Sequence, residues 1–80
     1  MYYVYILKCK NNNIYTGCTS DLKERVIRHV DSHVLVTKER RPVEPISYTA
    51  FKDKYMVFEL EKYLKSGSGR AFISKHFINS

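Results

Sequence analysis

The sequence predicts an α+β fold, α/β in the broad sense: a small three-stranded antiparallel sheet flanked by three to four helices. Three observations carry that expectation. Tyr2 to Cys9, Ile14 to Cys18 and Ile46 to Phe51 are short runs rich in β-branched and aromatic residues. Leu22, Val26, Ile27 and Val30, and later Met56, Val57, Leu60, Tyr63 and Leu64, recur instead at helical spacing. Finally, 80 residues leave room for one domain, spanning 1–80, in a chain that buries only roughly 60% of its unfolded surface.

Tyr2 to Cys9 is apolar almost without interruption, which predicts a strand covered on both faces and central in the sheet. Lys10-Asn11-Asn12-Asn13 is turn chemistry, because asparagine tolerates the left-handed conformations of tight loops. Ile14 to Cys18 is then the returning strand. An odd-length loop such as Asn11-Asn12-Asn13 puts Tyr5 and Tyr15 on the same face of that pair, whereas a two-residue loop would separate them.

Ser20 and Asp21 are good N-caps, so a helix is expected from about 21 to 31, with Arg25 and His29 together on a flank of its apolar stripe. Residues 31 to 45, including Val34-Leu35-Val36 and Thr37 to Arg41, read as a connecting segment with space for one short helical turn, which ends before Pro42 because a residue preceding proline avoids the α region. Ile46 to Phe51 is the third strand. Asp53 caps a second helix that Gly67 can end, and Arg70 to Phe77 is a final short helix with Phe72, Ile73 and Phe77 inward.

The formal charge of +6 and pI near 9.4 suggest a polyanionic partner, since basic surfaces bind phosphate backbones through counterion release. No apolar run approaches the ~20 residues of a membrane span. Met1 leads straight into a strand-like segment without a basic leader, so a cytoplasmic location is expected. In that reducing setting Cys9 and Cys18 are expected as free thiols, and neither they nor His29 and His33 stand at zinc-motif spacing with further ligands.

Tyr5, Tyr15 and Arg25 are spaced by ten residues each, and His29 follows Arg25 by one helical turn. With Tyr3-Val4-Tyr5, Tyr15-Thr16-Gly17, Asp21-Leu22-x-x-Arg25-x-x-x-His29 and Glu61-Lys62-Tyr63-Leu64-Lys65, the chain resembles the GIY-YIG endonuclease superfamily. The resemblance is to its small stand-alone branch, similar to the catalytic domain of the UvrC excinuclease subunit. Tyr3 stands where the first motif has glycine, Val4 and Thr16 replace the motif isoleucines, Cys18 occupies a position that is cationic in some branches, and Ile73 one that is asparagine in some.

The resemblance implies a Mg²⁺-dependent (or Mn²⁺-dependent) endonuclease that hydrolyses nucleic-acid phosphodiesters, DNA ahead of RNA, in repair or processing of branched or damaged DNA. Tyr5, Tyr15, Arg25, His29 and Glu61 would be catalytic, with Tyr15 preferred as the base, and Glu61 would be the metal ligand. A guanidinium suits an in-line displacement because it can grip two phosphate oxygens, and one carboxylate suffices for a hard ion that shares water and substrate oxygens. Gly17, Lys38, Arg40, Arg41, Lys65 and Arg70 are candidate nucleic-acid contacts. Each residue also has an ordinary reading: strand-filling tyrosines, a helix-surface arginine, a half-buried histidine, solvated cations. The alternative functions are a non-catalytic nucleic-acid-binding module on the same scaffold and, last, a protein-interaction domain signalled only by Phe58.

Overall fold

Tyr2–Lys8 forms strand β1, which lies in the middle of the sheet as its two-sided hydrophobicity predicts. Ile14–Thr19 (β2) pairs along one side and Glu44–Phe51 (β3) along the other, both antiparallel, in the order β2-β1-β3. Val4, Tyr5, Ile6 and Leu7 are all buried. The computed structural model describes residues 1–31 and 41–78. Most of the expected connecting segment, including His33, Lys38 and Arg40, lies outside the described residues, as does Asn79.

The first connection is a 3-10 turn over Lys10–Asn12, with Asn11 and Asn12 in the left-handed region at φ 61° and 62°, and the Cys9 N–H donates to the Asn13 carbonyl at 2.6 Å. The turn is centred one residue earlier than the asparagine run suggests. Its parity is the expected one: Tyr5 faces Gly17 and Leu7 faces Tyr15, so Tyr5, Tyr15 and Gly17 share a face.

Strand β3 begins at Glu44, two residues before the expected start, and contains Pro45. It can do so because it is an edge strand whose register shifts there: Ile6 faces Ser47 but Leu7 faces Pro45, leaving Ile46 as a bulge.

Helix α1 covers Leu22–Val30, capped by the Asp21 carboxylate, which accepts the Glu24 N–H at 3.3 Å. Helix α2 covers Lys54–Leu64, where the Asp53 carboxylate accepts the Tyr55 N–H at 2.8 Å. Helix α3 covers Gly67–Ile73, with the Ser66 hydroxyl accepting the Gly69 N–H at 3.2 Å, and a π-type turn over Ser74–Ile78 follows. Gly67 thus opens α3 instead of ending α2, because Ser66 provides a cap that starts a new helix at once. The final helix accordingly begins and ends earlier than expected, and of its three anticipated inward residues only Ile73 is buried, while Phe72 and Phe77 are exposed.

One face of the sheet carries the apolar core: Val4 and Ile6 of β1 against Val57 and Leu64 of α2 and Ile73 of α3. Burial of each such side chain stabilises by about 1.5–3 kcal/mol relative to exposure. Met56 and Tyr63, expected in the α2 stripe, are exposed. The inward line of α2 is Val57, Leu60, Glu61 and Leu64, so Glu61 sits on the packing face with its side chain only 23% accessible. Among the described residues no helix is long and apolar enough to cross a membrane.

Candidate active site

The opposite face of the sheet carries helix α1, docked in a way its composition does not announce. Ile27 and Val30, half of the apolar stripe, are 47% and 43% exposed, whereas His29 is completely buried and Arg25 partly so. The helix turns its polar flank to the sheet. What receives that flank is the tyrosine face: Tyr5 with Tyr15 beside it.

The Tyr5 hydroxyl lies 3.0 Å from His29 Nε2. The Tyr15 ring centroid is 4.8 Å from that of His29 and 6.2 Å from that of Tyr5, while the Tyr5 and His29 rings are 5.6 Å apart. Gly17 makes the approach possible, since a Cβ there would meet the Tyr5 hydroxyl at clashing distance and Tyr15 Cε1 at 3.1 Å. The close approach demands glycine here by space, not by backbone conformation, because no glycine of the described residues has positive φ.

Burial sets the protonation of this cluster. It pushes the Tyr5 phenol up to about 12 from 10.0, with Tyr15 adding to the rise and the Arg25 guanidinium opposing part of it. Burial also lowers His29 below its usual 6.5, helped by the charges of Arg25 and Arg28. At neutral pH the pair is therefore a protonated phenol and a neutral imidazole. In the tautomer protonated on Nδ1, the Tyr5 O–H donates to Nε2.

Glu61 comes from the other face, and its neighbours differ. Its carboxylate lies 3.4 Å from Lys65 Nζ and beside Cys18, a half-buried thiol raised above its ordinary value by burial first and by the Glu61 charge and hydrogen bond next. Arg25 acts on the same thiol with opposite sign. Cys18 lies on β2, the outer strand, so helices on opposite faces bring Arg25 and Glu61 to one stretch of sheet edge. The tyrosines, Arg25, His29 and Gly17 form one cluster, while Glu61 flanks it across β2 without a described contact to either phenol.

Lys65 and Arg70 line one groove with Tyr15, whereas Arg41 is exposed ahead of β3 and outside that lining. Ile73 is a core residue, which accounts for an apolar side chain at that position. The intimate contact of Cys18 with Glu61 had no signal in the sequence, because it depends on α2 lying across β2. The burial of Arg25 and His29 had one: the ten-residue spacings that tie them to the tyrosines.

Among the described residues no three His, Cys, Asp or Glu side chains gather around a metal position. The donor set nonetheless fits a hard divalent ion held in part by its substrate: one partly exposed carboxylate, the remaining positions being those that water and phosphate oxygens fill in such sites.

A three-stranded sheet with one helix presenting Arg and His to paired tyrosines, and a second presenting one carboxylate at the edge, defines a nuclease-type domain of the GIY-YIG class. Residues 1–75 match the GIY-YIG catalytic domain, and the chain belongs to that family. It is 42% identical over 65 residues to the UPF0213 protein YazA of Bacillus subtilis, a match covering 80% of this chain and 66% of YazA. It is 35% identical over 68 residues to the UPF0213 protein SSP2268 of Staphylococcus saprophyticus, covering 84% and 83%. The solution NMR structure of the UPF0213 protein BH0048 from Bacillus halodurans superposes with a TM-score of 0.60 at 30% identity, over 99% of this chain and 89% of that one.

Proposed function

We propose that this chain is a divalent-cation-dependent endonuclease that hydrolyses nucleic-acid phosphodiester bonds, DNA ahead of RNA, in cytoplasmic processing of branched or damaged DNA. The observation that carries this reading is the docking of α1, which buries His29 and half-buries Arg25 beside two tyrosines while leaving Ile27 and Val30 to solvent. Burying an imidazole and partly desolvating a guanidinium costs free energy that an apolar face would not, and such local exceptions to core-forming rules belong to functional sites.

In this proposal Tyr5 is the fixed member of the pair, its proton held toward His29 Nε2. Tyr15 is half-buried and lines a groove, so it is the side chain that reaches an attacking water, and as the phenolate its oxygen takes the proton that the water gives up. Arg25 stabilises the negative charge that builds on the phosphoryl oxygens, and its partial burial strengthens that interaction relative to water. Glu61 would hold Mg²⁺ or Mn²⁺, which when bound supplies Lewis-acid stabilisation of the phosphate and leaving oxygens.

The test is a nicking assay on supercoiled, branched and damaged DNA and on RNA, with and without Mg²⁺. Wild type is expected to cut at least one of these forms only when the cation is present. Glu61→Gln should abolish cutting and leave DNA affinity equal or slightly higher, because it removes an anion and keeps the shape. Arg25→Ala should slow cutting by roughly 10²–10³-fold, the usual cost of losing one charge-stabilising donor. Salt-sensitive binding without cutting of any form would instead favour the non-catalytic binding module.

A further inference from the structure

A groove of about 500 Å³ opens beside β2, lined by Asn12, Asn13, Tyr15, Thr16, Lys65 and Arg70. That volume suits a ligand of about nucleotide size. Two cations border it and no described carboxylate lines it. Lys65 is shared with Glu61, but Arg70 is exposed and has no ion-pair partner among the described residues.

The asparagine turn adds a second observation. Asn11 and Asn12 occupy left-handed conformations, which explains their residue type, but Asn13 is extended at φ −66° and ψ 148°, a conformation any residue adopts. Its backbone carbonyl closes the turn, yet among the described residues its side-chain amide makes no hydrogen bond. An amide with no role in the turn thus borders a groove whose other rim is cationic.

Tyr15 joins this groove to the cluster described above, since it is one of the groove-lining residues and its ring packs 4.8 Å from His29. We propose that the groove is a second phosphate subsite, which receives the sugar-phosphate unit next to the scissile one. Arg70 is its anchoring guanidinium, Lys65 its supporting cation, and Asn13 its hydrogen-bonding group against the sugar or base edge. The strand then crosses the β2 edge from Arg25 and Tyr15 toward the asparagine turn. This rests on the nuclease reading for the identity of the neighbouring phosphate, but not for the binding itself.

The test is binding of fluorescently labelled duplex DNA by anisotropy, in EDTA and across a range of salt, so that no turnover is needed. Arg70→Ala should weaken binding several-fold, uniformly across sequences, and lower the slope of log affinity against log salt by about 0.9, one phosphate contact. Arg70→Lys should recover most of the slope. Asn13→Ala should weaken binding without changing the slope, because the lost group is neutral. Lys52→Ala removes the same charge at the β3–α2 junction and should change the slope clearly less. Equal effects of Arg70→Ala and Lys52→Ala would overturn the proposal, since the groove would then contribute only general charge. The expected binding pattern in a protein that never cuts DNA would uphold the groove and sink the nuclease reading. Normal binding by Arg70→Ala in a protein that does cut would do the reverse.

Discussion

Gly17 and Gly67 separate two uses of glycine that look alike on paper. At Gly17 an added methyl would push into the Tyr5 hydroxyl and the Tyr15 ring, while at Gly67 nothing lies within 4 Å. Gly17→Ala should therefore destabilise by about 1–3 kcal/mol, the usual cost of overpacking, and displace Tyr5 from His29. Gly67→Ala sits at the first position of a helix and should stabilise by up to about 1 kcal/mol, because it restricts the unfolded chain. Urea denaturation of both variants checks the pair of expectations, and equal effects would show that the Tyr5–Gly17 contact is not tight. The spacing of Tyr5, Tyr15 and Arg25 was visible in the sequence, and so was the parity that puts the phenols together. The reason for Gly17 was not, since it depends on where the neighbouring strand's tyrosine comes to rest.

At the level of elements, caps were the most readable feature: Asp21 and Asp53 begin helices where their chemistry says they should. Faces were harder. In α1 the hydrophobic periodicity points to Leu22, Val26, Ile27 and Val30, yet only Leu22 and Val26 are half-buried, as Arg25 is, and the fully buried residue is His29, because the sheet offers a buried phenol that needs a hydrogen-bond partner. In α2 the outermost members of the stripe, Met56 and Tyr63, face solvent, and Glu61 takes a place between buried Val57 and Leu64. These misreadings share a cause: periodicity measures how apolar a face is, while docking depends on what the partner surface requires. Ile27→Ala should consequently cost only about 1 kcal/mol and Leu64→Ala about 2–5 kcal/mol. Chemical denaturation distinguishes them, and a larger loss at Ile27 would mean that α1 packs through its apolar flank after all.

For the whole molecule, the Tyr5–His29 pair ties stability to pH at both ends. His29 is held neutral below its ordinary value, so the unfolded chain binds the proton more readily, and stability falls as pH drops below about 6.5. Tyr5 is held protonated up to about 12, so the unfolded chain gives up its proton more readily, and stability falls as pH rises above 10.0. The alkaline loss is on the order of 2–3 kcal/mol once both states are ionised. A plateau in the unfolding free energy between about pH 6.5 and 10 is expected, and Tyr5→Phe should flatten the alkaline limb while lowering the plateau by about 1–3 kcal/mol through the unpaired imidazole. An alkaline limb unchanged by Tyr5→Phe would assign the titration elsewhere.

The strand order β2-β1-β3 also has a temporal side. The central strand is the first made, and while its hairpin partner begins six residues later at Ile14, its other partner ends at Phe51, paired with Tyr2 across 49 residues. Local pairing precedes such distant closure, so the hairpin that carries both phenols can form on the ribosome early, α1 can follow, and the sheet is completed only later. Glu61 emerges after all of these. At 5–20 residues per second, about 2 to 8 s separate the end of β2 from the residue proposed to hold the metal. On the nuclease reading proposed above, a nascent chain, or one truncated before α2, would hold the phenols and the guanidinium without the carboxylate, and so would leave the nucleic acid around it uncut.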